Sequence, residues 1–224
     1  MEPMNKKVVI ISGGRTEDAF LKKFISNYCY DILIVADKGM EIAKRLNLSV
    51  DYIVGDFDSV EPALLEEYRS CASNNRTVIL KEFPPEKDDT DTQLAMETAI
   101  ELGASEIVLL GATGSRLDHV LANVSLLRIP LEKNITASMI DANCKLYLTS
   151  KTIRIVREEQ YGNYVSLLPF TDCVNGVTLT GFKYPLLNAC LTKGNSLGIS
   201  NEILMEQGQI EFDDGILLVI EAKD

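Results

Sequence analysis

Apolar positions along the chain fall into two regimes. Up to about residue 145, short runs of consecutive apolar residues alternate with stretches of helical period. The runs predict strands at 8–12, 32–36, 52–54, 77–80, 107–110 and 136–140. The intervening stretches predict helices at 16–27, 39–46, 62–73, 90–102 and 117–128. Runs without polar alternation suit strands buried on both faces. Strands alternating with helices predict a mostly parallel sheet covered by helices on both sides.

From about residue 146 the pattern changes. Half of the 14 glycines fall in this last third, and runs such as KTIRIV, YVSLLPF, GVTLTGF and GILLVIEA succeed one another without helical period. That predicts a smaller all-β domain. The expected division is an α/β domain over residues 1–145 and an all-β domain over 146–224. No internal repeat or low-complexity segment interrupts it.

Composition adds exclusions. Among 224 residues, 46% are hydrophobic and 25% charged, which is ordinary for a globular chain and argues against disorder. The formal net charge of −11 argues against a nucleic-acid backbone or an anionic membrane as the main partner. No stretch approaches the roughly 18 apolar residues that a membrane span needs. VVIIS near the start is too short for a signal-peptide core and reads as a first strand. Five scattered cysteines, never spaced as CxxC, suggest free thiols and a cytoplasmic setting. With His119 the only histidine, a histidine-rich zinc site is excluded. Any metal is expected to be held by oxygen, which favours magnesium or manganese.

The polar residues that stand out lie at the expected carboxyl ends of strands, where open parallel sheets bind ligands. Asp37-Lys38-Gly39 follows ILIVA, and Asp56 and Asp58 follow YIVG. KDDTD, residues 87–91, follows TVIL after a proline loop, and GATGSRLDH, residues 111–119, follows IVLL.

Local explanations cover part of this. Asp, Gly and Ser favour turns, so VGDFDS could be a turn alone. On an extended chain Asp56 and Asp58 would lie about 6–7 Å apart on one face, where both could address one cation. Thr90 is expected to cap a helix, with Gln93 completing the box and Asp91 favoured in its first turn. Lys87, Asp88 and Asp89 are left without such a task. Ser115 and Asp118 form a second expected capping box, which leaves Arg116 over. A glycine loop that includes Gly114 and opens a helix offers N–H groups to an anion, and Arg116 would add bidentate contacts to phosphate. The loop lacks the Gly-Lys-Ser/Thr ending of a Walker A motif, and it is not GxGxxG. His119 is read as structural. Together the clusters describe acids holding a hard cation, the cation neutralising a polyphosphate, and Lys87 and Arg116 completing the clamp. Such a site works by positioning and charge neutralisation.

The series ADKG, GDFDS, KDDTD, GATGSRLDH, TGFKYPL and GNSLGISNE, in that order over nearly the whole chain, resembles the thiamine pyrophosphokinase family. The resemblance implies an α/β domain followed by a β-sandwich, in a homodimer with active sites between subunits. It implies Mg2+-dependent transfer of the pyrophosphoryl group of ATP to the thiamine hydroxyl, giving thiamine diphosphate and AMP. By the same resemblance Asp56, Asp58 and Asp91 are metal ligands with Asp88 close by, and Asp37 helps position the metal or the phosphates. Lys87, Arg116 and Asp118 contact ATP, as do Asp88, Thr90, Gly114 and Ser115 around them. Tyr184, Ser196, Ser200 and Asn201 line the thiamine pocket. Two positions depart from the family pattern: Ser115 stands where another glycine is usual, and Tyr184 where the animal enzymes have tryptophan. Which carboxylate takes the hydroxyl proton stays open between Asp58 and Asp91.

Two rival readings differ in class. An aspartyl-phosphate phosphatase could use Asp56 as nucleophile and Asp58 as acid, but it leaves the C-terminal motifs unexplained. A non-catalytic binder of thiamine or nucleotide needs no carboxylate array for metal.

Overall fold

The computed structural model describes residues 5–75, 78–84 and 88–224. The chain divides into two compact units, Met1–Ala142 and Asn143–Asp224. No described helix is long and apolar enough to cross a membrane.

The first unit runs β1 (Lys6–Ile11), α1 (Asp18–Asn27), β2 (Ile32–Ala36), α2 (Gly39–Leu46), β3 (Tyr52–Gly55), α3 (Pro62–Asn75), β4 (Ile79–Glu82), α4 (Asp91–Glu101), β5 (Ala104–Leu110), α5 (Leu117–Leu126), α6 (Arg128–Glu132) and β6 (Thr136–Ile140). Its strands lie in the order β4-β3-β2-β1-β5-β6, all parallel. The chain walks outward from β1 to β4, then returns to place β5 on the other side of β1. The connections after β1 and β5 therefore lead to opposite sides of the sheet, and at such a switch point open parallel sheets form a crevice at the carboxyl ends of the strands. All five residues of β2 are buried, as expected of a strand covered on both faces.

Helix ends are set by local chemistry. Thr90 has extended backbone and accepts the Gln93 N–H at 3.3 Å, so it caps α4, with Asp91 in the first turn where the dipole favours an acid. Asn47 turns left-handed at φ 53 to close α2, whose last turn carries Lys44 and Arg45. Gly39 opens α2 where a Cβ would stand 2.2 Å from the Ile11 carbonyl oxygen, so only glycine lets this helix start against β1.

The second unit is all β: β7 (Cys144–Thr149), β8 (Ile153–Val156), β9 (Tyr164–Pro169), β10 (Cys173–Thr180), β11 (Leu186–Thr192), β12 (Gln207–Glu211) and β13 (Leu217–Ala222). Strands β7-β13-β9 form one antiparallel layer and β11-β10-β12-β8 another. Val165, Leu167, Leu217 and Val219 of the first layer share one core with Val174, Val177, Leu179 and Ile210 of the second. That is a sandwich. The fold class is the expected one, an α/β unit followed by a smaller β-sandwich.

Several boundaries differ from expectation, among them β5, which starts at Ala104 rather than 107, and the following three. β4 runs past residue 80 to Glu82, and the start of its expected range lies outside the described residues. The expected fifth helix breaks after Leu126 and resumes as α6. β7 begins at Cys144, ahead of the first β run read from the sequence.

Candidate active site

A cavity of about 610 Å³ opens in the first unit at the carboxyl ends of the strands. Its walls come from four strand-end loops. Ser12, Gly13, Gly14 and Arg15 follow β1; Asp37 and Lys38 follow β2; Asp56 and Ser59 follow β3; Gly111 to Arg116 follow β5. The segment 89–92 at the start of α4, with His119 and Asn123 of α5, completes it. The β1 and β5 loops are tied together by the Gly14 N–H donating to the Gly111 carbonyl at 2.8 Å. That approach needs glycine, since a Cβ on Gly14 would lie 2.3 Å from the same oxygen.

Asp37, Asp56 and Asp58 each offer a carboxylate oxygen, and the three lie within 4.8 Å of one another. They meet through two turns that a straight strand would not make. Asp37 sits at φ 42 and Phe57 at φ 62, both left-handed and both non-glycine. β3 ends at Gly55, and the Asp58 N–H donates to Asp56 Oδ1 at 3.2 Å. The extended-chain arrangement expected for Asp56 and Asp58 is therefore replaced by a turn about Phe57. Left-handed backbone at non-glycine residues costs on the order of 1–3 kcal/mol each and tends to collect at functional sites.

Asp37 is bonded asymmetrically. Its Oδ2 accepts from Ser59 Oγ at 2.5 Å, while its Oδ1 is buried and accepts no hydrogen bond. A buried unpaired acceptor costs about 1–3 kcal/mol, and more when charged. Three carboxylates this close also repel by on the order of a few kcal/mol per pair. A hard cation bound by oxygen offsets both, so the donor set fits magnesium or manganese.

The remaining expected residues are distributed as follows. Asp91 and Thr90 line the same cavity, outside the trio; Asp88 and Asp118 are exposed and are not among its lining residues. Lys87 lies outside the described residues. Gly114, Ser115 and Arg116 line the cavity. The expected Ser115–Asp118 capping box is not formed. α5 starts at Leu117, its N-cap is Arg116 without a side-chain bond, and Asp118 is drawn to the guanidinium. Arg116 Nη2 lies 2.6 Å from Asp118 Oδ2 and its Nε 3.3 Å from Oδ1, both side chains being well exposed. The hydrogen bond from Arg116, helped by the His119 N–H and the guanidinium charge, holds the Asp118 carboxyl down at about 2.

In the second unit, Tyr184 is 58% exposed. Ser196 and Ser200 are exposed, and Ser200 is left-handed at φ 56, its N–H donating to Ser166 Oγ at 3.0 Å. Asn201 is buried, with its amide bonded to neighbouring backbone. Lys183 Nζ lies 5.5 Å from the centre of the Tyr184 ring and is held there by Glu202.

Sequence reasoning missed the β1 loop, Ser12 to Arg15, although the rule that flagged the other strand ends applies to it equally. It also missed Thr92, whose Oγ1 lies 3.0 Å from Ser12 Oγ, and Asn123, which is buried and donates to the Ala112 carbonyl at 2.8 Å. His119, set aside as structural, lines the cavity.

The architecture is an α/β unit with a ligand crevice at the carboxyl ends of its parallel strands, followed in one chain by a β-sandwich. Family models agree with each part. "Thiamin pyrophosphokinase, catalytic domain" matches residues 22–139, and "Thiamin pyrophosphokinase, vitamin B1 binding domain" matches residues 150–217. A thiamine pyrophosphokinase of Bacillus subtilis is 35% identical over 98% of this chain and 100% of its own length. The crystal structure of a thiamine pyrophosphokinase from Bacillus subtilis superposes with a TM-score of 0.83 at 31% identity, covering 98% of this chain and 100% of that one. A thiamin pyrophosphokinase structure from Geobacillus thermodenitrificans gives 0.79 at 30% identity, covering 97% of each. The chain belongs to the thiamine pyrophosphokinase family and is accordingly a diphosphotransferase.

Proposed function

We propose that this enzyme transfers the pyrophosphoryl group of ATP to the hydroxyethyl oxygen of thiamine, with Mg2+, giving thiamine diphosphate and AMP. Two observations carry the metal and polyphosphate part: Asp37, Asp56 and Asp58 each bring a carboxylate oxygen within 4.8 Å of the others, and Asp37 keeps a buried, unpaired Oδ1. The names of the full-length relatives support the acceptor.

Asp37, Asp56 and Asp58 would hold the cation, and Asp91 is placed at the same cavity to complete its oxygen shell or to take a proton. When bound, Mg2+ neutralises polyphosphate charge and polarises the attacked phosphoryl group. The backbone around Gly13, Gly14 and Gly111 to Gly114 presents a narrow surface to phosphate oxygens, with the start of α5 favouring negative charge. Arg116 adds a fork for the phosphates once it releases Asp118, and the proposal keeps Lys87 and Asp88 as further contacts to ATP. The thiamine hydroxyl attacks the β-phosphorus, the bridging bond to the α-phosphate breaks, and AMP leaves. A primary alcohol is a weak nucleophile, so Asp58 or Asp91 accepts its proton as the new bond forms.

The β-sandwich contributes Tyr184, Ser196 and Ser200 to thiamine, and Asn201 supports them. The proposal includes a homodimer with shared sites. A cytoplasmic setting is supported by five scattered cysteines, never spaced as CxxC.

The test is the product pair. Thiamine and Mg-ATP should yield AMP and thiamine diphosphate in equal amounts. ADP with thiamine monophosphate, or free phosphate without acceptor, overturns the reading.

A further inference from the structure

Resting on the metal reading above, we infer that Ser59 is a positioning residue: it holds one oxygen of Asp37 so that the other faces the cation. Asp37 Oδ2 is fixed by Ser59 Oγ at 2.5 Å, within the range of strong charge-assisted bonds, and Oδ1 is the buried oxygen without a partner. A carboxylate fastened at one oxygen cannot swing away to solvate the other. The hydroxyl thus converts a rotatable side chain into a fixed ligand.

The fold places that hydroxyl with little slack. Phe57 and Val60, on either side of the 58–59 pair, are buried, and the Val60 N–H donates to the Phe57 carbonyl at 3.3 Å. The Phe57 ring also packs against Gly55, where a Cβ would lie 3.2 Å from the ring. The two apolar anchors pin the turn and leave Ser59 at the cavity wall. The serine is not spent on capping a helix, because α3 begins only at Pro62. Its side-chain hydrogen bond reaches 22 residues back to Asp37. The last residue of GDFDS therefore has a task that a turn alone does not require: it orients the acid of ADKG.

The test titrates Mn2+ into the full-length protein without nucleotide, following free Mn2+ by EPR. Losing the outer partner of a metal ligand weakens binding by about 10–100-fold, so Ser59→Ala should raise the Mn2+ Kd by at least roughly tenfold. Ser59→Cys, similar in size but a weak donor, should show the same loss. Ser59 is exposed, so Ser59→Thr has room for its methyl and, keeping the hydroxyl, should restore binding to near wild type. Melting in chelator should be alike for all four proteins. In turnover, Ser59→Ala should show a raised apparent Mg2+ requirement, with kcat largely recovered at saturating Mg2+. Unchanged Mn2+ affinity in Ser59→Ala, or a Ser59→Thr protein no better than it, overturns the role of Ser59 alone. A wild-type protein that binds no Mn2+ overturns the metal reading and this inference with it.

Discussion

Asn201 grips the peptide of Tyr184 from both ends: its Oδ1 accepts the Tyr184 N–H at 3.0 Å, and its Nδ2 donates to the Tyr184 carbonyl at 2.8 Å. The same Oδ1 also accepts the Glu202 N–H at 2.9 Å. The amide imitates a neighbouring strand and fixes the direction in which the tyrosine ring leaves the sandwich.

Asn201→Ala should therefore act on Tyr184 indirectly. Buried backbone groups left unpaired cost about 1–3 kcal/mol, so a loss of that size is expected in urea denaturation. The KM for thiamine should rise while the Mn2+ affinity of the other unit stays at wild type. A change in metal affinity as large as the change in KM would contradict this separation.

Asp56→Asn should lower turnover by roughly a hundredfold or more, because charge stabilisation by the metal is worth several kcal/mol. In chelator its melting temperature should equal or exceed that of wild type, since one of three mutually repelling carboxylates has lost its charge. Thiamine diphosphate formation and thermal melting, measured on the same preparation, check both halves. Full activity would remove the metal assignment.

The Arg116–Asp118 pair fixes a pH expectation. The folded Asp118 carboxyl, at about 2, lies below its ordinary 3.8, so the pairing stabilises fully above that ordinary value and is lost as pH falls through about 2. Between pH 5 and 9 neither member changes charge, and an activity profile in that window reports other groups. Carboxyl chemical shifts recorded during acid titration should place Asp118 below the other exposed aspartates. Asp118→Asn, by releasing Arg116, should tighten binding of inorganic triphosphate, and the gain should shrink as salt rises.

The proposed shared sites predict complementation. Refolding Asp91→Asn together with Tyr184→Ala in equal amounts should recover roughly a quarter of wild-type activity, because half the dimers are mixed and each rebuilds one of two sites. Mass measurement confirms the mixed dimers. Activity no higher than either parent alone would place both halves of each site in one chain.

Much of the fold was legible because burial on both faces writes itself as unbroken apolar runs. β2 and α2 lie where the run ILIVA and the helical pattern after Gly39 put them. β4 was less clear for a physical reason. It is an edge strand whose residues are partly exposed, so polar Lys81 and Glu82 belong to it as fully as Leu80 does. In the site, the strand-end rule found Asp37, Asp56 and Asp58. Only the left-handed turns at Asp37 and Phe57 bring the three together, and nothing in ADKG or GDFDS announces a positive φ at a non-glycine residue. The Arg116–Asp118 pair was hidden because Asp118 stands three residues after Ser115, where a capping box suits it, and two after Arg116, where a salt bridge does.

The place of β1 between β2 and β5 has a consequence for how the chain is made. Lys6 pairs with Ala104 and Ile11 with Leu110, so one side of β1 waits for a partner that is synthesised much later. Meanwhile β2 satisfies the other side early. Residues 8–11 are at most 1% exposed in the folded protein, so the waiting edge is apolar on both faces and lined with unpaired backbone groups. A nascent or truncated chain that stops before residue 104 is thus a sticky half-sheet, and it needs protection from its neighbours on the ribosome. The catalytic crevice shares this timetable: it cannot exist until the last of its walls, the loop after β5 and the first part of α5, has left the exit tunnel.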